Sequence, residues 1–223
     1  MIEILFTELI IKYLKSQNKP RIIGIYYPSE LPWCLRRLYY DYTIGKDKDL
    51  ETNLLIVSGV LMHSFIASVL EWASRKKLVI ESQSEVSVGY TLEGISIIGK
   101  ADDMVRIKLG DEPVDYLIEV KSKSKLPDKP RLEHIMQLNF YLYFYPESKG
   151  CLLYITRDGF NMRAFETNYS EKLFKELIDR ALILHKHLIN NTLPEPEYWH
   201  GECLNCIYRD ICFKQKKSLN SQD

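Results

Sequence analysis

Apolar residues return along this chain with two different periods, and the change of period organises it. Residues 2 to 16 place apolar positions at helical spacing. "IYYPSELPWCLRRLYYDY" opens with proline punctuation and predicts a short helix beginning near Cys34. "NLLIVSGVLMHSFIASVLEWASRKK" is a long helical pattern with its charges gathered at the carboxyl end. Alternation then takes over. "LVIESQSEVSVGY" predicts a strand, "GISIIGKADDMVRIKL" two short runs around Gly99 to Asp103, and "VDYLIEVKSK" a third β-rich run. A loop with Pro127 and Pro130 leads to "LEHIMQLNFYLYFY", a helix, and "GCLLYITRDGFNMRAFE" predicts a hairpin turning at Asp158 and Gly159. "SEKLFKELIDRALILHKHLINN" is an amphipathic helix capped by Ser170. This order predicts an α/β (α+β) fold with mixed strands.

A chain of 223 residues without internal repeat or Gly/Ser linker is read as a single domain, residues 1–223. No apolar run is expected to approach the roughly 18 to 20 residues of a membrane span. Glu3, Glu8 and Lys12 interrupt the amino-terminal apolar positions, and no small-residue cleavage site follows. The expectation is a cytoplasmic protein without membrane contact, in a reducing compartment where closely spaced cysteines are metal ligands more often than disulfides. Thirty Lys and Arg balance thirty Asp and Glu, so no global field steers a polyanion. One local basic run exists, "KSKSKLPDKPR", with five cations against one Asp.

Strand alternation sends Asp115, Leu117, Glu119 and Lys121 to one face and Ile118 and Val120 to the other. Alone, Glu119 beside Lys121 is an ordinary ion pair. Upstream, Gly99 permits close backbone approach and Asp102 begins the neighbouring strand. If the two strands pair, Asp102 and Glu119 can converge on one hard cation, which relieves the repulsion between them. Lys121 can then orient or deprotonate a water, or stabilise charge building on a phosphate. His63 is a third candidate ligand; its plain alternative is a packed core histidine. Gln137 and Tyr141 share one helix face.

"GECLNCIYRDIC" raises a separate question. Three cysteines cannot close a tetrahedral site by themselves. Thiolates suit zinc and iron-sulfur centres alike, and His200 is a conceivable zinc ligand. Cys151 reads as a buried small hydrophobe, and His185 and His187 point apart on their helix.

Taken in order, His63, "GKAD" ending at Asp102, "EVK" from Glu119 to Lys121, and "QLNFY" from Gln137 to Tyr141 resemble the RecB-type nucleases of the PD-(D/E)XK superfamily. "PSELPWCLRR" and "CLNCIYRDIC" extend the likeness to its short CRISPR-associated exonucleases, the fourth Cas type. One departure is that the first acid stands in a GxxD setting without a Pro-Asp pair, the usual RecB-like form. The resemblance implies a RecB-like restriction-endonuclease-type core over residues 53–190, with a mixed central sheet flanked by helices. It also implies an iron-sulfur region, residues 20–45 plus 195–215, in which Cys34, Cys203, Cys206 and Cys212 clasp the N- and C-terminal segments around a cluster, 4Fe-4S ahead of 2Fe-2S. His63, Asp102, Glu119 and the Val120 carbonyl would hold Mg²⁺ or Mn²⁺, with Lys121 aiding the attacking water. Gln137 and Tyr141 would position the strand, and Lys123, Lys125, Lys129 and Arg131 would meet phosphates. The implied substrate is single-stranded DNA ends, and the implied task is CRISPR adaptation beside the adaptation integrase. Two alternatives stand: a repair or viral nuclease outside CRISPR, and a noncatalytic iron-sulfur or zinc scaffold that binds DNA.

Overall fold

The computed structural model describes residues 2–16, 20–45, 50–158, 161–197 and 202–213. In chain order its elements are α1 (Ile2–Ser16), β1 (Ile25–Tyr26), α2 (Leu35–Thr43), α3 (Leu50–Arg75), β2 (Glu81–Leu92), β3 (Ile95–Leu109), β4 (Glu112–Lys123), α4 (Leu132–Leu142), β5 (Lys149–Thr156), β6 (Met162–Thr167) and α5 (Glu171–Ile189). A short 3₁₀ turn follows at Glu202–Asn205. The chain divides into two compact units. One comprises Gly24–Pro32 and Val57–Ile183; the other comprises Met1–Ile23, Trp33–Ile56 and Leu184–Asp223.

The first unit is built on a six-stranded mixed sheet. β2 runs antiparallel along most of one edge of β3, from Leu92 opposite Ile95 to Glu81 opposite Arg106. The other edge is shared between two strands. β1 pairs parallel with Ser96 and Ile97, and β4 pairs antiparallel from Glu112 opposite Leu109 to Ile118 opposite Asp103. Between them, Ile98 to Asp102 have no strand neighbour on that side among the described residues. β4 continues alone, paired in parallel with β5 as far as Lys123 opposite Thr156, and β6 closes the sheet as a hairpin on β5.

Alternation along β4 sends its side chains into two layers of core. On one side Ile118 and Val120 pack with Val105, Ile155 and Ile66 of α3, flanked by Met62 and Leu70. Gly59 brings α3 close to β4: a Cβ there would lie 3.4 Å from Ser122 Oγ. On the other side lies α4, from Glu133 to Leu142 buried at every position except Ile135. Phe174 of α5 stacks on Tyr143, with ring centroids 4.0 Å apart. Each fully buried Leu, Ile or Phe contributes about 1.5–3 kcal/mol, so these layers dominate the energy that holds β4 in place.

The mixed sheet flanked by helices is the architecture the sequence predicts, with three corrections. Residues 95–109 form one strand, not two short runs, because β2 pairs along most of their length, from Ile95 to Arg106, and carries the ladder through Gly99. β1 is too short to show a period in the sequence. The expectation that no apolar run approaches a membrane span also fails: α3 is long and apolar enough to cross one by length and composition. Its segment from Asn53 to Leu70 carries no Asp, Glu, Lys or Arg. Of the expected hairpin turn, Asp158 is described and Gly159 lies outside the described residues.

Candidate active site and cysteine pocket

The fork between β3 and β4 creates an unusual backbone problem. Where β3 leaves β4, the Val120 N–H loses the strand partner that would have accepted it, and a buried unpaired N–H is costly. Asp102 answers: its Oδ2 accepts the Val120 N–H at 2.7 Å. Its other oxygen, Oδ1, lies 3.0 Å from His63 Nδ1 on α3. Burial disfavours the His63 cation, but the hydrogen bond and charge of Asp102 outweigh it, and the His63 pKa is raised.

Glu119 stands next to this pair in a second network. It is only 2% exposed, and burial pushes its carboxyl up from the ordinary range to about 7 against the opposing pull of Lys121. Lys121 Nζ donates to Glu119 Oε1 at 2.7 Å and to Gln137 Oε1 at 2.7 Å. Gln137 Nε2 donates to the same Glu119 oxygen at 2.7 Å and lies 3.2 Å from the Tyr141 hydroxyl. Burial also raises the Tyr141 pKa well above its ordinary value, so this hydroxyl stays protonated. Gly99 lines the gap in the sheet: a Cβ there would fall 2.8 Å from Pro28 and 3.1 Å from the Tyr141 ring.

The three candidate metal ligands therefore come from α3, β3 and β4 into one neighbourhood, with His63 touching Asp102 and Glu119 coupled electrostatically to both. Among the described residues no three His, Cys, Asp or Glu already stand as a ligand shell. Glu119 Oε2 supplies the test of fit. It is buried and accepts no hydrogen bond, which leaves one carboxylate oxygen of this site without a partner. A divalent cation is a natural partner for such an oxygen.

Of the expected phosphate contacts, Lys125 and Lys129 are exposed, Arg131 pairs with buried Glu133 at 3.2 Å, and Lys123 is half-buried. Two further charged residues escaped sequence reading. Asp103 is fully buried, accepts from Ser84 Oγ at 2.6 Å, and has its pKa raised by burial. Arg157 lies at the end of β5, with its Nε buried and unpartnered. Adjacent Asp-Asp and Arg-Asp pairs look like turn or surface charges until the sheet is built.

In the other unit, Cys34, Cys203, Cys206 and Cys212 line one pocket together with Arg36 and Tyr40. No disulfide joins them. Cys34 begins α2, and the segments on either side are tied by backbone and side-chain bonds. Leu35 N–H donates to Glu197 Oε2 at 2.7 Å, Arg36 Nε to the Pro194 carbonyl at 2.5 Å, and Tyr208 Oη to Asp41 Oδ1 at 2.9 Å. Arg36, only 5% exposed, aims Nη1 at Cys212 Sγ from 3.9 Å. The buried Arg36 guanidinium thus places a cation beside one of the four sulfurs. His200 lies outside the described residues.

No family model matches the chain. Over 190 residues, covering 83% of this chain and 86% of the relative, it is 28% identical to the CRISPR-associated exonuclease Cas4 of Saccharolobus solfataricus (strain P2). The chain is similar to Cas4. A solved structure extends the likeness: the crystal structure of SSO0001 superimposes with a TM-score of 0.64 at 25% identity, covering 93% of this chain and 96% of that one. The Cas4 likeness is thus spread over both compact units and is not confined to the short motifs that first suggest it.

Proposed function

We propose that this chain is a divalent-metal-dependent DNA nuclease. The observation that carries the reading is the buried, unpartnered Glu119 Oε2 beside the Asp102–His63 pair, with Lys121 hydrogen-bonded to the other Glu119 oxygen. His63, Asp102, Glu119 and the Val120 carbonyl would hold Mg²⁺ or Mn²⁺, which when bound would supply Lewis-acid activation of a water and the phosphate. Lys121 orients that water and offsets the charge that develops on the phosphoryl oxygens. Gln137 keeps Lys121 and Glu119 in register, and Tyr141 braces Gln137. The likeness to a CRISPR-associated exonuclease supports exonuclease action on DNA; the finer reading, which rests on the motif resemblance, is trimming of single-stranded ends during CRISPR adaptation, in the cytoplasm, beside the adaptation integrase.

The four cysteines hold an iron-sulfur cluster in this reading, 4Fe-4S ahead of 2Fe-2S, supported by the shared pocket and the buried Arg36. The test is anaerobic purification with iron and sulfide analysis, followed by cleavage assays on single-stranded and duplex DNA across a Mn²⁺ titration. Divalent-dependent loss of single-stranded substrate, abolished in Asp102→Ala, is expected. A protein that binds DNA but cuts neither substrate at any Mn²⁺ concentration is a scaffold, and the nuclease reading is then wrong.

A further inference from the structure

Beyond Lys121, β4 ends in a cluster of cations with too few anions. Lys123 points into it, half-buried, and makes no side-chain hydrogen bond or ion pair among the described residues. Its ammonium is disfavoured first by burial, then by Arg131, Lys121 and Arg157; Glu133 alone favours it. Glu133 is already engaged by two Arg131 contacts at 3.2 and 3.3 Å. Arg157 spends Nη2 on a long 3.4 Å bond to the Ser122 carbonyl and leaves its buried Nε without a partner. Its backbone N–H donates to the Lys123 carbonyl at 3.1 Å, which fixes the two residues side by side. Buried His134, bonded to the Tyr154 hydroxyl at 2.8 Å, has its pKa depressed to about 2 by burial and then by Lys121, Lys123 and Arg131.

A half-buried ammonium that neighbouring cations repel, beside a guanidinium whose buried Nε has no partner, is unstable unless something negative joins them. The place suits an anion for two further reasons. It lies at the carboxyl end of the parallel β4–β5 pair, where open α/β sheets bind ligands. It also faces the amino end of α4, whose N-cap residue Arg131 makes no side-chain cap. Lys121 and Lys123 are separated by two residues of extended strand, about 7 Å. That spacing is comparable to the distance between neighbouring phosphates on one DNA strand.

We propose that Lys123, Arg157 and Arg131 form a second phosphate subsite, which takes the internal phosphodiester next to the one presented to Lys121. This inference rests on the nuclease reading for its register, though not for its anion. A strand held at two consecutive phosphates is fixed in direction and depth, so the subsite sets which linkage is cut. Arg157, from the β5–β6 turn, is the residue that no motif of the chain announces.

The test uses the full-length protein as purified, without divalent cation, and measures binding of a single-stranded oligonucleotide by fluorescence anisotropy over a salt series. Lys123→Met keeps the aliphatic stem and Arg157→Gln keeps polarity, and far-UV circular dichroism checks that both variants fold. Losing one phosphate contact should lower the slope of log K against log salt by about 0.7. It should also weaken binding roughly tenfold, with recovery in Lys123→Arg. In cleavage, one methylphosphonate on the linkage adjoining the cut should make the parent behave as Lys123→Met, and the variant should lose nothing further. An unchanged salt slope overturns the subsite, as does a loss independent of which linkage is neutralised. An effect seen only with a phosphate monoester at the oligonucleotide's end overturns the internal-diester assignment. A parent that never cuts while its salt slope still depends on Lys123 sinks the nuclease reading alone; cutting with no slope difference sinks the subsite alone.

Discussion

Around Glu119 the protein holds its own site together: Lys121, Gln137 and Tyr141 are linked by bonds of 2.7 to 3.2 Å that need no added ion. Around the cysteines the short bonds run elsewhere, from Leu35 to Glu197, from Arg36 to Pro194 and from Tyr208 to Asp41. There the sulfur contacts of Cys212 and Cys203 are long, 3.9 and 4.0 Å. The first site is prearranged by hydrogen bonds within one sheet and the helix above it. The second gathers its four cysteines around one pocket through the chain segments that carry them. If the proposed metal and cluster are right, removing the first should cost activity and removing the second should cost stability.

The sharpest way to break that contrast is Cys206→Ser. Iron and sulfide should fall to background and the melting temperature by about 10 °C or more, since metal-ligand energy is folding energy in such a site. Calorimetry with metal analysis checks both, and a variant that keeps its iron ends the four-cysteine assignment. Next in size, Lys121→Ala should slow Mn²⁺-dependent cleavage by about 100-fold or more while leaving the melting temperature within a few degrees. Equal cleavage rates in single-turnover assays would remove Lys121 from the chemistry.

Metal-free stability against pH sharpens the comparison further. Burial raises Glu119 to about 7, so between its unfolded value near 4.5 and about 7 the folded protein keeps a proton that the unfolded chain releases. The parent should lose stability as pH rises through that window, by on the order of 2 kcal/mol. Glu119→Gln, which has no such proton, should show no corresponding loss, and urea melts at pH 5 and pH 8 compare the two. Parallel pH profiles would mean that the buried carboxyl is ionised throughout. Smallest is Gly99→Ala, whose new Cβ would meet Pro28 at 2.8 Å and the Tyr141 ring at 3.1 Å. Overpacking of this kind costs about 1–2 kcal/mol. Its urea midpoint should drop, and a midpoint equal to the parent's would show that the gap in the sheet is wider than drawn.

Much of this was legible before any coordinates. The helix read over residues 53–77 lies at Leu50–Arg75 and the strand read over residues 114–123 at Glu112–Lys123, and Gln137 and Tyr141 meet because one helical turn separates them. Less legible was anything that depends on which strand edge stays open. The stretch around Gly99 reads as a break, yet β2 holds it in one continuous strand and β1 and β4 leave its far side bare. Arg36 looks like one of two surface arginines; only the carbonyl of Pro194, distant in sequence, makes it a buried donor. Arg157 reads as a turn residue until Lys123 is placed beside it.

The order of side-chain types along the chain determined the helices and most of the strands, the two faces of β4 and the adjacency of Glu119 with Lys121, because periodicity and neighbour chemistry are local properties of the backbone. The tertiary structure alone decided that β3 and β4 part company after Asp103 and Ile118, that Asp102 takes the stranded Val120 N–H, and that a second group of cations gathers past Lys121. Those outcomes turn on which long-range pairings satisfy every buried donor and acceptor at once, a condition no single segment can express.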